Sequence, residues 1–199
     1  MLSGCKAESP EILNILFVGD SDIEGWDTET YENAKNIGVG GATCQDILPQ
    51  IETTLESYLT KKVVLVCGEN DFPDHSASDT FTVFKNIVEK IEATNATVLY
   101  MGTKPEPETI DLHQQYRQYD SLIRQHAVDL ANTENPPLVM IDVYSGFEEL
   151  GNPNSLYAED QLHLSNEGYS YWNQWLQSAL ADNTCTVWQS GSCIHNAGD

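Results

Sequence analysis

Four short polar clusters in this chain hold residue types that nucleophilic chemistry at a carbonyl requires. They are Gly19-Asp20-Ser21, Gly38-Val39-Gly40-Gly41, Gly68-Glu69-Asn70-Asp71 and Asp160-Gln161-Leu162-His163. A serine hydroxyl is a poor nucleophile until a base accepts its proton, and an imidazole can take that proton and return it to a leaving group. His163 can act as such a base. Asp160, three residues earlier on the same loop or helical turn, can hold one ring nitrogen so that the other faces Ser21. Glycine lets a backbone amide approach a ligand closely, and Asn70 offers a side-chain amide, so both can stabilise a developing oxyanion. Each residue also has a plainer use: Ser21 as a helix cap, Asn70 and Asp71 as turn formers, the glycines as a flexible loop. Their joint occurrence is what favours chemistry.

Such clusters must be brought together by regular elements. Strongly apolar runs recur at residues 15–18, 63–67, 98–101 and 138–143, with a weaker one at 34–37. Continuous apolar character without alternation suits strands covered on both faces, and their spacing suits βαβ units in a parallel sheet. Between them, Phe81, Phe84, Ile87, Val88 and Ile91 recur at helical steps behind Ser78 or Asp79 as caps. Leu112, Tyr116, Tyr119, Leu122, Ile123 and His126 form a second stripe, and a last helix is expected over 166–180. In open parallel sheets ligands collect outside the carboxyl ends of the strands. The four clusters follow four of these strands, so the fold would gather them along one rim.

The length, 199 residues, favours one domain, and 40% hydrophobic residues suit a globular chain. Charge is the outlying property: 31 acidic residues against 9 basic ones give a formal net charge of -22. That surface repels phosphate backbones and anionic lipid heads, so nucleic acid is excluded as a partner. Self-repulsion on this scale is relieved by salt, which suggests a salty setting. No metal or other cofactor is expected, since the aspartates near the rim lack a histidine at ligand spacing and no CxxC pattern occurs. His75, His113 and His195 are expected in solvated roles, while Trp26, Phe72 and Pro73 are candidates to wall a pocket.

Read in order, "GDS", "NIGVGGAT", "GEND" and "DQLH" resemble the four sequence blocks of the SGNH hydrolases, also called the GDSL esterase/lipase family. The resemblance implies a three-layer α/β/α, flavodoxin-like fold around a five-stranded parallel sheet. It implies Ser21 as nucleophile, with His163 and Asp160 completing a triad. The Ser21 amide, Gly41 and Asn70 would form the oxyanion hole, with Gly40 the alternative to Gly41. The expected function is hydrolysis of short-chain acyl esters, such as acetyl esters of carbohydrates, lipids or aryl alcohols, through an acyl-enzyme. A non-catalytic glycan-binding protein on the same fold is the alternative. One departure is Asp22-Ile23 after the serine, an acid beside the nucleophile that could disfavour anionic acyl groups.

Organisation and setting complete the expectations. Residues 1–10 read as a tail, 11–181 as the hydrolase domain and 182–199 as a second tail closed by a Cys185–Cys193 bridge. Cys44 and Cys67 read as buried thiols. Met1-Leu2-Ser3-Gly4-Cys5 resembles a bacterial lipobox, so a lipid on Cys5 would be the one link to a membrane, in a periplasmic, cell-surface or secreted protein.

Overall fold

The computed structural model describes residues 9–131 and 135–198, so the lipobox-like start with Cys5 lies outside the described residues. Strands β1 (Ile15–Val18), β2 (Ala34–Asn36), β3 (Lys62–Leu65), β4 (Thr97–Met101) and β5 (Leu138–Asp142) pair in parallel in the order β2-β1-β3-β4-β5. This is the flavodoxin-like order, in which the chain reverses its direction of winding between β1 and β3 and leaves a crevice there.

Alternation of side chains within these buried strands decides the layers. Leu16, Val18, Val63, Leu65, Val98 and Tyr100 point into one apolar cluster, while Ile15, Phe17, Val64, Leu99 and Met101 point into the other. The first cluster is closed by helices α2 (Cys44–Ile47), α3 (Ile51–Ser57), α4 (Ala77–Glu92) and α5 (His113–Asp129), through residues such as Ile51, Phe84, Ile87 and Tyr119. The second is closed by α6 (Val143–Glu149) and α7 (Asn166–Ala181), through Phe147, Trp172, Trp175 and Leu176. Each such side chain contributes about 1.5–3 kcal/mol of burial free energy, which makes the sheet a rigid base for the loops at its edge. The apolar stripe of α4 matches the expected face, although its cap is Ser76, whose hydroxyl accepts the Asp79 amide at 3.2 Å.

Two sequence expectations are corrected here. The sheet has seven strands rather than five, because the segment read as a C-terminal tail forms β6 (Cys185–Gln189) and β7 (Ser192–Asn196). β6 adds in parallel to β5, with Met140 opposite Val187 and Ile141 opposite Trp188, and β7 folds back antiparallel to it. A single Val-Trp pair in a polar stretch looks weak as a strand. The unpaired edge of β5 supplies the missing stabilisation by accepting its backbone groups. The Cys185–Cys193 bridge is present and ties this hairpin.

Cys44 and Cys67 are buried as expected, but they form a disulfide rather than free thiols. Their Cα atoms lie 5.2 Å apart because the end of β3 and the start of α2 meet at the same end of the sheet. A 23-residue separation gives no hint of that meeting.

Candidate active site

At the carboxyl end of β1 the chain turns directly into α1 (Ser21–Glu24), with Asp20 as its cap: one carboxylate oxygen accepts the Asp22 amide at 3.0 Å. This places Ser21 at the first position of a helix, with its hydroxyl at the mouth of the crevice. The loop after β2 runs beneath that turn. Gly38 is required by close approach, since a Cβ there would sit 2.2 Å from the Glu24 amide nitrogen. Gly41 is required by conformation, with φ at +74°.

His163 reaches the serine from the other side of the crevice. Its Nε2 lies 3.1 Å from Ser21 Oγ, and its Nδ1 lies 2.7 Å from Asp160 Oδ2. The two residues share one tight loop because Gln161 takes a left-handed conformation, φ 57°. Asp160 Oδ1 then accepts the backbone amides of both Leu162 and His163 at 3.0 Å. The hydrogen bond from His163, followed by those two amides, lowers the Asp160 carboxyl to about 2. A carboxylate held charged in this way keeps the imidazole oriented with its free nitrogen toward the hydroxyl.

Ser21, Gly40, Gly41, Asn70 and His163 line one cavity of about 550 Å³, completed by Pro73, Leu112, Leu162 and Tyr116. The sequence-predicted site residues therefore converge. Asn70 Nδ2 donates to the Ala42 carbonyl at 3.2 Å and lies 3.4 Å from Asp20 Oδ2, which fixes the amide against the glycine loop. Asp71, next in the chain, accepts the Cys44 amide at 2.8 Å, so the second and third clusters are joined by a hydrogen bond as well as by the disulfide.

Several residues fall elsewhere than expected. Trp26 and Phe72 are core residues, and of the proposed wall residues Pro73 lines the cavity. His113 is not a solvated side chain: its Nε2 lies 2.7 Å from the Glu106 carbonyl and its Nδ1 3.2 Å from the Tyr144 hydroxyl.

Sequence reasoning missed the floor of the cavity. Lys104, 2% exposed, follows β4, and its ammonium contacts Asp22 Oδ2 at 2.6 Å, Glu69 Oε2 at 2.7 Å and Glu106 Oε1. Asp22, Glu69 and Glu106 have oxygens within 4.8 Å of one another, the one such trio among the described residues, and the ammonium bonds all three. Burial, with the neighbouring Asp22 carboxylate, pushes Asp20 up to about 7. Burial and the charge of Glu106 push Glu69 up as well, while the three carboxylates raise Lys104 despite its burial. One signal was available: a lone lysine in "GTKPEP" directly after an apolar strand, at the same sheet edge as the other clusters.

A serine, an imidazole and a carboxylate in hydrogen-bonded series, at the carboxyl edge of a parallel sheet, form the arrangement that a serine hydrolase uses. The sequence pattern of the GDSL-like lipase/acylhydrolase family matches residues 17–171, and the chain belongs to that family. It is a hydrolase of the SGNH type. The alpha1 subunit of platelet-activating factor acetylhydrolase IB from Rattus norvegicus is 27% identical over 177 residues, covering 83% of this chain and 72% of its own. Among solved structures, a candidate acylhydrolase from Bacteroides fragilis superposes with a TM-score of 0.74 at 22% identity, covering 87% of this chain and 91% of that one. A variant of an acetyl-xylooligosaccharide esterase from a Geobacillus gives 0.61 at 15% identity, covering 82% and 92%. At these identities the structural matches speak for the fold.

Proposed function

We propose that the protein is a serine esterase that cleaves short-chain acyl esters, acetyl esters above all, by way of an acyl-enzyme. The observation that carries this reading is the unbroken series Asp160–His163–Ser21, with contacts of 2.7 and 3.1 Å. His163 Nε2 takes the hydroxyl proton as Ser21 Oγ bonds to the ester carbonyl carbon, and the carbonyl electrons move onto oxygen. The amides of Ser21 and Gly41 receive that oxyanion, together with the Asn70 side chain once one of its hydrogens leaves the Ala42 carbonyl or Asp20; one such donor is worth about 100- to 1000-fold in turnover. Collapse breaks the bond to the alcohol, which leaves with the proton from His163. Water then repeats the sequence, releases the acid and restores Ser21. Support for a small acyl group comes from the acetyl group named for two of the similar proteins.

Hydrolysis of an aryl acetate should fall at least about 1000-fold in Ser21→Ala, and a serine-directed phosphonate should label wild type at Ser21. Equal rates in the two proteins would refute the reading. The two disulfides support an oxidising, extracytoplasmic setting, with the Cys5 lipid as its means of attachment. Metabolic labelling with a radioactive fatty acid, lost in Cys5→Ala, tests that attachment.

A further inference from the structure

The buried ion cluster beneath the cavity lies one residue away from both halves of the site. Asp22 follows Ser21, and Glu69 precedes Asn70. We propose that Lys104 is a positioning residue whose ammonium sets the distance between the nucleophile and the oxyanion asparagine by holding the chain neighbour of each. This rests on the esterase reading above.

The contacts allow little slack. Lys104 grips Glu69 twice, its backbone amide donating to Oε1 at 2.6 Å and its ammonium to Oε2 at 2.7 Å. The same ammonium donates to Asp22 at 2.6 Å and to Glu106, so all three of its hydrogens are directed at carboxylates on three separate segments. Glu106 is held in turn by the hydroxyls of Thr109 at 2.7 Å and Tyr116 at 3.2 Å. Asp22 is fixed from the opposite side, where Tyr169 donates to its carbonyl at 2.9 Å. No hydrogen of the ammonium remains for a substrate.

Fold stability alone does not call for this arrangement. Buried ion clusters are often matched or exceeded in stability by apolar residues of similar volume, so stability is a weak reason for this one. Here the geometry matters. Without the ammonium, Asp22, Glu69 and Glu106 would lose the one donor that joins them, and the segments carrying Ser21 and Asn70 would be free to separate. A misplacement of about 1 Å can cost about 100-fold in rate. Removing the charge should therefore lower kcat and kcat/KM together, the mark of an interaction made in the transition state, and leave KM near its starting value.

The test compares wild type, Lys104→Met, Glu69→Gln, the double variant and Lys90→Met on an aryl acetate, with the rate of phosphonate labelling at Ser21 as a second measure. Lys90 pairs with Glu52 on the surface, so Lys90→Met should match wild type. Lys104→Met should lose about 30- to 100-fold in kcat with KM within about threefold, and should label more slowly in proportion. Glu69→Gln should lose about five- to tenfold. The double variant should be no worse than Lys104→Met, because the lysine acts through the glutamate. A folded Lys104→Met with wild-type kcat overturns the proposal, even if it melts at a lower temperature. If Lys104→Met does not fold, Glu69→Gln decides by the same criterion, and a kcat within twofold of wild type overturns it. Failure of wild type itself to hydrolyse the ester or to label at Ser21 would instead refute the esterase reading, so the two failures are distinct.

Discussion

Two groups of acidic side chains flank the same serine and behave in opposite ways. Asp160, on the loop beside His163, has a half-exposed side chain, and hydrogen bonds hold its carboxyl down at about 2. Asp20 and Glu69, on the sheet side, are buried, and desolvation raises both. Hydrogen bonds to the charged form dominate where water is near, and burial dominates where it is not. On the proposed esterase reading the exposed side moves a proton during turnover, while the buried side stays still.

That contrast can be broken first on the proton-handling side. His163→Ala should cost about 1000- to 10,000-fold in kcat, since no other described side chain is placed to take the Ser21 proton. Asp160→Asn should cost about as much, up to about 10,000-fold, because an asparagine oxygen that stays with the Leu162 and His163 amides leaves the Nδ2 hydrogens facing His163 Nδ1, so Nε2 carries the ring proton and cannot accept that of Ser21. Steady-state hydrolysis of an aryl acetate by both variants measures this, and a loss of only about tenfold in Asp160→Asn would mean that Asp160 does not set the tautomer of the ring.

On the static side the effects should be smaller and should appear in stability as well. The Cys44–Cys67 bridge links the glycine loop to the strand that delivers Asn70. Replacing both cysteines by serine should cost about 2–4 kcal/mol in urea unfolding. It should also slow turnover about tenfold as the oxyanion donors loosen. Unfolding midpoints and kcat measured on the same preparation would separate the two consequences.

The smallest effect is a slope with pH. Asp20 rises from 3.8 to about 7, and Asp120 rises from 3.8 to about 6 through burial, despite hydrogen bonds from Thr103 and Tyr100. Between about pH 4 and pH 7 the unfolded chain gives up these protons while the folded chain keeps them. Stability from these two groups is thus complete below pH 4 and is lost as pH rises through 6 and 7. Urea midpoints from pH 4.5 to 7.5 should fall less steeply in Asp120→Asn than in wild type. An unchanged slope would show that this buried carboxyl is ionised throughout.

Much of this was legible in the sequence because its cause is local. Apolar runs at 15–18, 63–67, 98–101 and 138–143 could bury only as strands, and Phe84, Ile87, Val88 and Ile91 could share a face only on a helix. The Asp160–His163–Ser21 series was readable because Asp160 and His163 lie three residues apart and Ser21 closely follows a strand. β6 was missed because its stability comes from the edge of β5 and not from its own composition. Lys104 was passed over because a lysine is ordinarily exposed, and nothing in "GTKPEP" announces three carboxylates from elsewhere in the chain.

By itself, then, the sequence determined the class of fold, the strands and helices that carry the site, and the residues able to supply a nucleophile, a base and oxyanion donors. These follow from side-chain period and chemical type, which act over a few neighbouring residues. Tertiary structure alone decided the sixth and seventh strands, the bridge between Cys44 and Cys67 and the seating of Lys104 among Asp22, Glu69 and Glu106. Each depends on segments far apart in the chain arriving at one sheet edge, where a backbone edge, a thiol or an ammonium is stabilised only by a partner that local pattern does not reveal.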